Sequence, residues 1–191
     1  MHIGIDFDNT IVSYDAIFHK VAVERSVVPV DLPPTKLAVR DYLRKVGEED
    51  VWTEMQGLVY GARMDEAAGY PGVLNFLAWA RDKSIAVSVI SHKTRYPFIG
   101  PQYDLHQAAR AWMQTHLIDG GRSLIQPDRI FFELTKGDKL RRVANSGCDW
   151  FIDDLPEILL AEAFPPITAK ILFDPDDHHG EDCALVRMAN W

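Results

Sequence analysis

The feature that most constrains this chain is a short apolar run near its start that leads directly into an acidic turn. Residues 3–5 (Ile-Gly-Ile) are too few to span a membrane and are typical of a buried strand. The turn that follows, Asp-Phe-Asp-Asn-Thr at residues 6–10, carries two carboxylates two positions apart. Carboxylates this close repel each other, so a fold that gathers them needs a cation or a proton between them. We interpret the stretch as a strand end that faces a ligand crevice, with an Asx-rich turn as the alternative.

Along the rest of the chain, apolar runs alternate with segments of helical periodicity. Beyond the first strand, strands are predicted at residues 85–90, 129–134, 150–154 and 170–173. Helices are predicted at residues 16–26, 36–46, 48–60, 73–83, 104–116 and 139–145. Strands that alternate with helices form a parallel sheet with both faces covered. The predicted fold class is therefore α/β, with a Rossmann-like parallel sheet flanked by helices.

The first three predicted helices follow one another without an intervening strand. We interpret residues 13–68 as a small helical cap inserted after the first strand, and residues 1–12 and 69–191 as the α/β core. Within the cap, Trp52 and Met55 lie at helical spacing, which favours core packing over a cofactor site.

Charge and cysteine content exclude several classes of protein. The chain has 191 residues and a formal net charge of −8, which argues against binding of nucleic acid polymers through a basic face. No apolar stretch is long enough for a membrane-spanning helix, so no membrane partner is expected. Cys148 and Cys183 are too few for a disulfide framework, and we expect a reduced, cytoplasmic monomer or homodimer.

Three further polar clusters stand at the ends of predicted strands or at the helix start that follows. They are Ser91 with His92 and Lys93, Lys136 with Lys139, and the acidic pair Asp153 and Asp154. Because the carboxyl ends of parallel strands meet at one edge of the sheet, we expect all of them to lie close to the first acidic turn. Thr135 and Asp138 form a capping-box pattern, which predicts a helix start beside the lysines.

These four clusters resemble the four motifs of the haloacid dehalogenase-like superfamily, most of whose members are Mg²⁺-dependent phosphatases. The resemblance covers roughly residues 1–12 and 70–173, and the chain looks most similar to the 5'-nucleotidase and deoxyribonucleotidase branches. It implies Mg²⁺ as cofactor and a small phosphorylated metabolite, either a nucleotide or a sugar phosphate, as substrate. Haloacid dehalogenases themselves are disfavoured, because they lack the second acid that Asp8 provides.

The resemblance also implies roles for the clustered residues. Asp6 would be the nucleophile that forms an aspartyl-phosphate, and Asp8 would act first as general acid and then as general base. Ser91 would hydrogen-bond the transferring phosphoryl group. A lysine would neutralise the nucleophile and the phosphate, and both Lys136 and Lys139 qualify. Lys136 is favoured because it stands beside a glycine at the helix entry.

Oxygen ligands suit Mg²⁺, and the motifs supply them. The expected metal ligands are Asp6, the backbone carbonyl of Asp8, Asp154 directly and Asp153 through water. The expected substrate-binding residues are Asn9, Thr10, His92 and Lys93. The last two, with Arg95, would give an acidic protein the local positive charge that an anionic substrate requires.

Two other functions fit the same residue types. A receiver-type signalling domain also combines an acidic pair, a phosphoacceptor aspartate, a hydroxyl and a lysine, and a catalytically silent binding domain could keep the fold. The segment Asp174–His179 contains residue types that bind metals, but its spacing matches no defined site and favours a surface loop.

Overall fold

A computed structural model gives the fold and describes residues 1–180 and 185–191, so Cys183 lies outside the described residues. These residues divide into two units. The first comprises Met1–Val12, Gly69–Lys93 and Met113–Trp191, and the second comprises Ser13–Ala68 and Thr94–Trp112. No helix in the described ranges combines the length and the apolar character that crossing a membrane requires.

The secondary structure alternates in much the order that the sequence predicts. The strands are β1 (His2–Ile5), β2 (Val12–Ser13), β3 (Ala68–Gly69), β4 (Ala86–His92), β5 (Ile118–Asp119), β6 (Arg122–Ser123), β7 (Ile130–Glu133), β8 (Trp150–Asp153), β9 (Ala169–Phe173) and β10 (Val186–Met188). The helices are α1 (Asp15–Glu24), α2 (Lys36–Lys45), α3 (Glu49–Tyr60), α4 (Val73–Asp82), α5 (Leu105–His116), α6 (Lys136–Ser146) and α7 (Pro156–Leu159), with 3₁₀ turns at Met64–Glu66 and Pro127–Arg129.

The main sheet lies in the first unit. Across the described residues it contains six strands in the order β10-β9-β8-β1-β4-β7, and each neighbouring pair is parallel. This confirms the predicted α/β class. The sequence does not predict β10 or α7, because elements of three and four residues are too short to show a period.

The central position of β1 decides where the acidic turn lies. Ile5, its last residue, pairs with Val89 of β4 on one side and with Ile152 of β8 on the other. The backbone N–H of Asp6 then donates to the carbonyl of Ile152 at 2.8 Å. The chain therefore leaves β1 between the carboxyl ends of β4 and β8, the edge at which open α/β sheets bind ligands.

One side of β1 fits tightly against the core beneath α6. A Cβ atom at Gly4 would lie 2.7 Å from Cδ2 of Phe151 and 2.8 Å from Sγ of Cys148, closer than real Cβ contacts. Phe151 is buried in one cluster with Leu140 and Val143 of α6. Gly4 thus lets β1 approach this cluster, which also holds α6 in place.

The second unit contains α1–α3 and has its own buried side chains. Phe18 and Met55 are fully buried and Trp52 nearly so, as expected for core residues. This unit also includes residues 94–112, although the sequence predicts them to be part of the α/β core. A Cβ at Gly57 of α3 would lie 2.7 Å from Cβ of Pro97, so the missing side chain admits this segment against α3. Residues so far apart in the chain leave no local pattern that reveals the contact.

Candidate active site

A buried lysine joins the two aspartates that follow β1 and end β8. Nζ of Lys139 donates to Oδ1 of Asp6 at 2.6 Å and lies 2.6 Å from Oδ2 of Asp153. Lys139 is 1% exposed, and both carboxylates are buried. Charges withdrawn from water in this way persist only when they are paired, so the three side chains form one electrostatic unit.

The structure places Lys139, rather than the favoured Lys136, on Asp6. The hydroxyl oxygen of Thr135 accepts from the backbone N–H of Asp138 at 3.0 Å, which confirms the predicted helix start. Side chains on a helix tilt toward its N-terminus, so a lysine one turn inside α6 reaches back to the strand ends. Lys136 is the first residue of the helix and is exposed, and its Nζ donates to Glu157 at 2.5 Å.

Burial raises the pKa of Asp6, because the charged carboxylate is withdrawn from water. The ammonium of Lys139 opposes this shift, while the carboxylates of Asp153 and Asp8 add to it, and the pKa rises from 3.8 to about 7. For Lys139, burial disfavours the ammonium form, but the two carboxylates beside it outweigh burial and hold its pKa above the ordinary value. Asp6 therefore holds a proton more tightly than an ordinary aspartate does, while Lys139 stays charged.

Three carboxylates form a group that fits a divalent cation. Asp6, Asp153 and Asp154 each offer an oxygen, and these oxygens lie within 4.8 Å of one another. Oδ2 of Asp153 is buried and has the ammonium of Lys139 beside it at 2.6 Å. Carboxylate oxygens are the ligands that Mg²⁺ prefers, and three carboxylates this close carry more negative charge than Lys139 alone balances. The residues present thus fit the expected Mg²⁺.

Residues of the first acidic turn orient Asp154. Nδ2 of Asn9 donates to one carboxylate oxygen at 3.3 Å, and Oγ1 of Thr10 donates to the other at 3.4 Å. Asn9 has a φ of 56°, a left-handed conformation that asparagine adopts more readily than most residues. The structure therefore places two predicted substrate-binding residues on a candidate metal ligand.

Trp191 also holds this turn, although the sequence does not predict it as a site residue. Its indole N–H donates to the backbone carbonyl of Thr10 at 3.0 Å. Its ring lies 5.6 Å from that of Phe173 and 5.0 Å from that of Phe76, measured between centroids. No sequence signal could have indicated the contact, because it joins residues 181 positions apart.

Ser91 and His92 stand at the end of β4, as predicted, but His92 does not supply positive charge. Ser91 is buried, and Nε2 of His92 lies 3.2 Å from the carbonyl of Leu134, to which it donates. Partial burial lowers the pKa of His92 from 6.5, and the nearby ammonium of Lys139 acts in the same direction. The imidazole is therefore neutral at pH values near 7.

The neighbouring cations are already paired. Nζ of Lys93 lies 2.9 Å from both carboxylate oxygens of Asp8. Arg95, which was also expected to supply local positive charge, pairs with Asp104, and both belong to the second unit. The structure thus places Lys93 on the second aspartate of the acidic turn.

The segment Asp174–His179 forms a loop, as predicted. The backbone N–H groups of His178 and His179 donate to the carboxylate of Asp174 at 2.9 and 3.2 Å, and Arg187 pairs with the same carboxylate. Among residues 1–180 and 185–191, the group formed by Asp6, Asp153 and Asp154 is the candidate metal cluster, and this loop is not part of it.

Comparison with known proteins identifies the fold. No protein-family model and no curated protein matches the chain. A Had-superfamily hydrolase from Ehrlichia chaffeensis aligns with a TM-score of 0.52 at 13% identity, covering 99% of this chain and 91% of its own. An archaeal β-phosphoglucomutase from a Pyrococcus species aligns with a TM-score of 0.59 at 12% identity, covering 100% of this chain and 92% of its own. A dehalogenase aligns with a TM-score of 0.55 at 11% identity, covering 97% of this chain and 91% of its own.

The chain has the haloacid dehalogenase-like fold. This confirms the fold that the four motifs indicate, while the nucleotidase branch stays a prediction. Within this fold, Asp6, Asp8, Ser91, Lys139 and Asp153 all belong to the first unit. These five candidate site residues thus all come from the first unit.

The raised pKa of Asp6 predicts that the metal-free protein loses stability as pH rises. The folded pKa of about 7 lies above the ordinary value of 3.8, so the native state binds this proton more tightly than the unfolded state. The resulting stabilisation is complete below about pH 4, and we expect about 4 kcal/mol to be lost by about pH 8.

Urea unfolding in EDTA would measure this loss, with Asp6→Asn as the control, because asparagine cannot ionise. The free energy of unfolding of Asp6→Asn should change less over the same interval, and Mg²⁺ should stabilise the wild type most at about pH 8. Parallel pH profiles for the two proteins would contradict the assignment.

Proposed function

We propose that this protein is a Mg²⁺-dependent phosphatase that hydrolyses small phosphate monoesters through an aspartyl-phosphate on Asp6. The observation that carries the proposal is the buried carboxylate of Asp6. It is bound by Lys139, grouped with two further acids, and followed two residues later by Asp8. A nucleophile held beside neutralising charge and close to a second carboxylate has the parts that a two-step phosphoryl transfer needs.

In the first step, an oxygen of Asp6 forms a bond to phosphorus as the bond from phosphorus to the leaving oxygen breaks. Asp8, in its protonated form, gives its proton to the leaving oxygen, so the alcohol departs neutral. The phosphoryl group then remains on Asp6 as an acyl phosphate.

In the second step, Asp8 takes a proton from water as the water oxygen attacks phosphorus. The bond between phosphorus and the Asp6 oxygen breaks, which releases inorganic phosphate and restores both aspartates. Lys93 contacts both carboxylate oxygens of Asp8, so the group that accepts this proton has a fixed orientation.

The other residues act on charge and position. Lys139 neutralises Asp6, and Ser91 lies buried at the end of β4, where its hydroxyl would hydrogen-bond the phosphoryl group. Asp6, Asp153 and Asp154 would hold Mg²⁺, which supplies positive charge against the phosphoryl oxygens. Asn9 and Thr10 keep Asp154 oriented for that role.

Asp8 favours phosphate over halide chemistry. A halide leaves carbon as a stable anion and needs no proton, whereas the oxygen of an alkyl phosphate does. We therefore propose a phosphorylated metabolite, either a nucleotide or a sugar phosphate, as the substrate. The helical residues 13–68 would form a cap that selects among such substrates.

The test is a panel of phosphorylated metabolites, with para-nitrophenyl phosphate as a general substrate, assayed in Mg²⁺ and in excess EDTA. Turnover in Mg²⁺ that EDTA abolishes is the expected result. Full activity in EDTA would overturn the metal assignment. Phosphorylation by a small phosphodonor without turnover would favour a receiver-type domain. The absence of both turnover and phosphorylation would favour a silent binding domain.

A further inference from the structure

A buried lysine outside the expected lysine motif holds the second aspartate. Lys93 is 5% exposed, and its backbone N–H donates to the carbonyl of Glu133 at 2.9 Å, next to the paired ends of β4 and β7. The side chain therefore starts from a fixed point on the sheet. Burial of a lysine ammonium is unfavourable without a partner, so its contacts show where the fold directs this charge.

Those contacts fix the carboxylate of Asp8. Nζ of Lys93 lies 2.9 Å from both oxygens, and 5.7 Å from the ring centroid of Phe7, which is fully buried. Contact with both oxygens restrains rotation of the carboxylate as well as its position. Asp8 itself is more exposed than the lysine, with 21% of its side chain accessible against 4%. The buried partner therefore orients the more exposed one.

We propose that Lys93 is a positioning residue that holds Asp8 for proton transfer, rather than a ligand of the substrate phosphate. The inference rests on the proposed function, in which Asp8 exchanges protons with the leaving group and with water. Lys139 contacts Asp6 as well as Asp153, so each aspartate of the turn has a buried lysine beside it. A proton-transfer group displaced by about 1 Å can lose about two orders of magnitude in rate.

The two roles for Lys93 predict different kinetics for Lys93→Met, which keeps the length of the side chain but removes its charge. A positioning residue acts on kcat, so turnover of para-nitrophenyl phosphate should fall about 10-fold to 100-fold. The inhibition constant of inorganic phosphate should stay within about twofold, because phosphate binding does not use the proton-transfer group. Weaker inhibition in parallel with the lost turnover would show a phosphate ligand and overturn the proposal.

A double-mutant cycle with Asp8→Asn gives the sharper test. If Lys93 acts through Asp8, adding Lys93→Met to the Asp8→Asn variant should lower kcat by less than about twofold. The double variant also lacks both charges of the pair, so it leaves no buried ammonium or carboxylate unpaired if Lys93→Met alone does not fold. The same fold-loss in both backgrounds would overturn the proposal.

Two controls separate failure of this inference from failure of the proposed function. Lys20→Met removes an exposed lysine that pairs with Glu66, and should leave kcat within about twofold of the wild type. A wild type without Mg²⁺-dependent turnover would refute the phosphatase itself. An active wild type whose Lys93 and Asp8 effects are independent would refute only the positioning role.

Discussion

Asp6→Asn should abolish turnover and form no phosphoenzyme, whereas Asp8→Asn should accumulate it. Asparagine at residue 6 lacks the attacking carboxylate, and we expect kcat to fall at least about 10⁴-fold. Asparagine at residue 8 removes proton transfer from both steps, a loss of about 10²-fold to 10⁴-fold. With para-nitrophenyl phosphate, the leaving group needs little acid assistance, so the first step should survive while the attack of water stalls.

Rapid quench followed by mass spectrometry would measure the phosphoenzyme on each variant. Asp176→Asn, which changes an exposed carboxylate of the loop after β9, is a matched control that should behave as the wild type. Phosphate on Asp6→Asn, or on any residue other than Asp6, would exclude the mechanism.

Lys139→Met should lose about 10²-fold to 10³-fold in turnover, the range seen when one charge-stabilising donor is removed. The change also leaves two buried carboxylates without their lysine. Removing one partner of a comparable buried pair lowers the free energy of unfolding by about 3–5 kcal/mol. Thermal unfolding should therefore show a lower midpoint in EDTA, and Mg²⁺ should restore part of the loss.

Lys136→Met is the matched control on the same helix. Its lysine is exposed and pairs with Glu157, and pairs of this kind contribute about 1 kcal/mol or less. Turnover and the unfolding midpoint should both stay close to the wild type. A larger loss of turnover for this variant than for Lys139→Met would return the catalytic role to Lys136.

The sequence by itself determined the α/β class and the edge of the sheet at which the polar residues gather. The reason is that both depend on local signals: a strand shows as an apolar run, and the polar residues stand directly after it. Asp6, Ser91 and Asp153 each follow or end such a run, and parallel pairing brings those ends to one edge. The helix start at Thr135 was also predictable, because a capping box lies within four residues.

The pairing of charges within the site depended on the tertiary structure. Lys136 and Lys139 both fit the sequence pattern, and the direction of side chains on α6 decides which one reaches Asp6. The sequence predicts Lys93 as local positive charge for a substrate, yet in the structure its ammonium is buried and pairs with Asp8. An ion pair forms between whichever groups the backbone brings together, and the sequence around each group carries no record of its distant partner.

The same reason explains the contacts that the sequence left out. Trp191 reaches the carbonyl of Thr10, and residues 94–112 join the unit of α1–α3, through contacts between distant parts of the chain. The raised pKa of Asp6 likewise reflects burial and the approach of Asp153, at the end of β8, to the turn after β1. Local patterns thus predicted which residues are available for chemistry, and packing alone decided which of them are in contact and how they are charged.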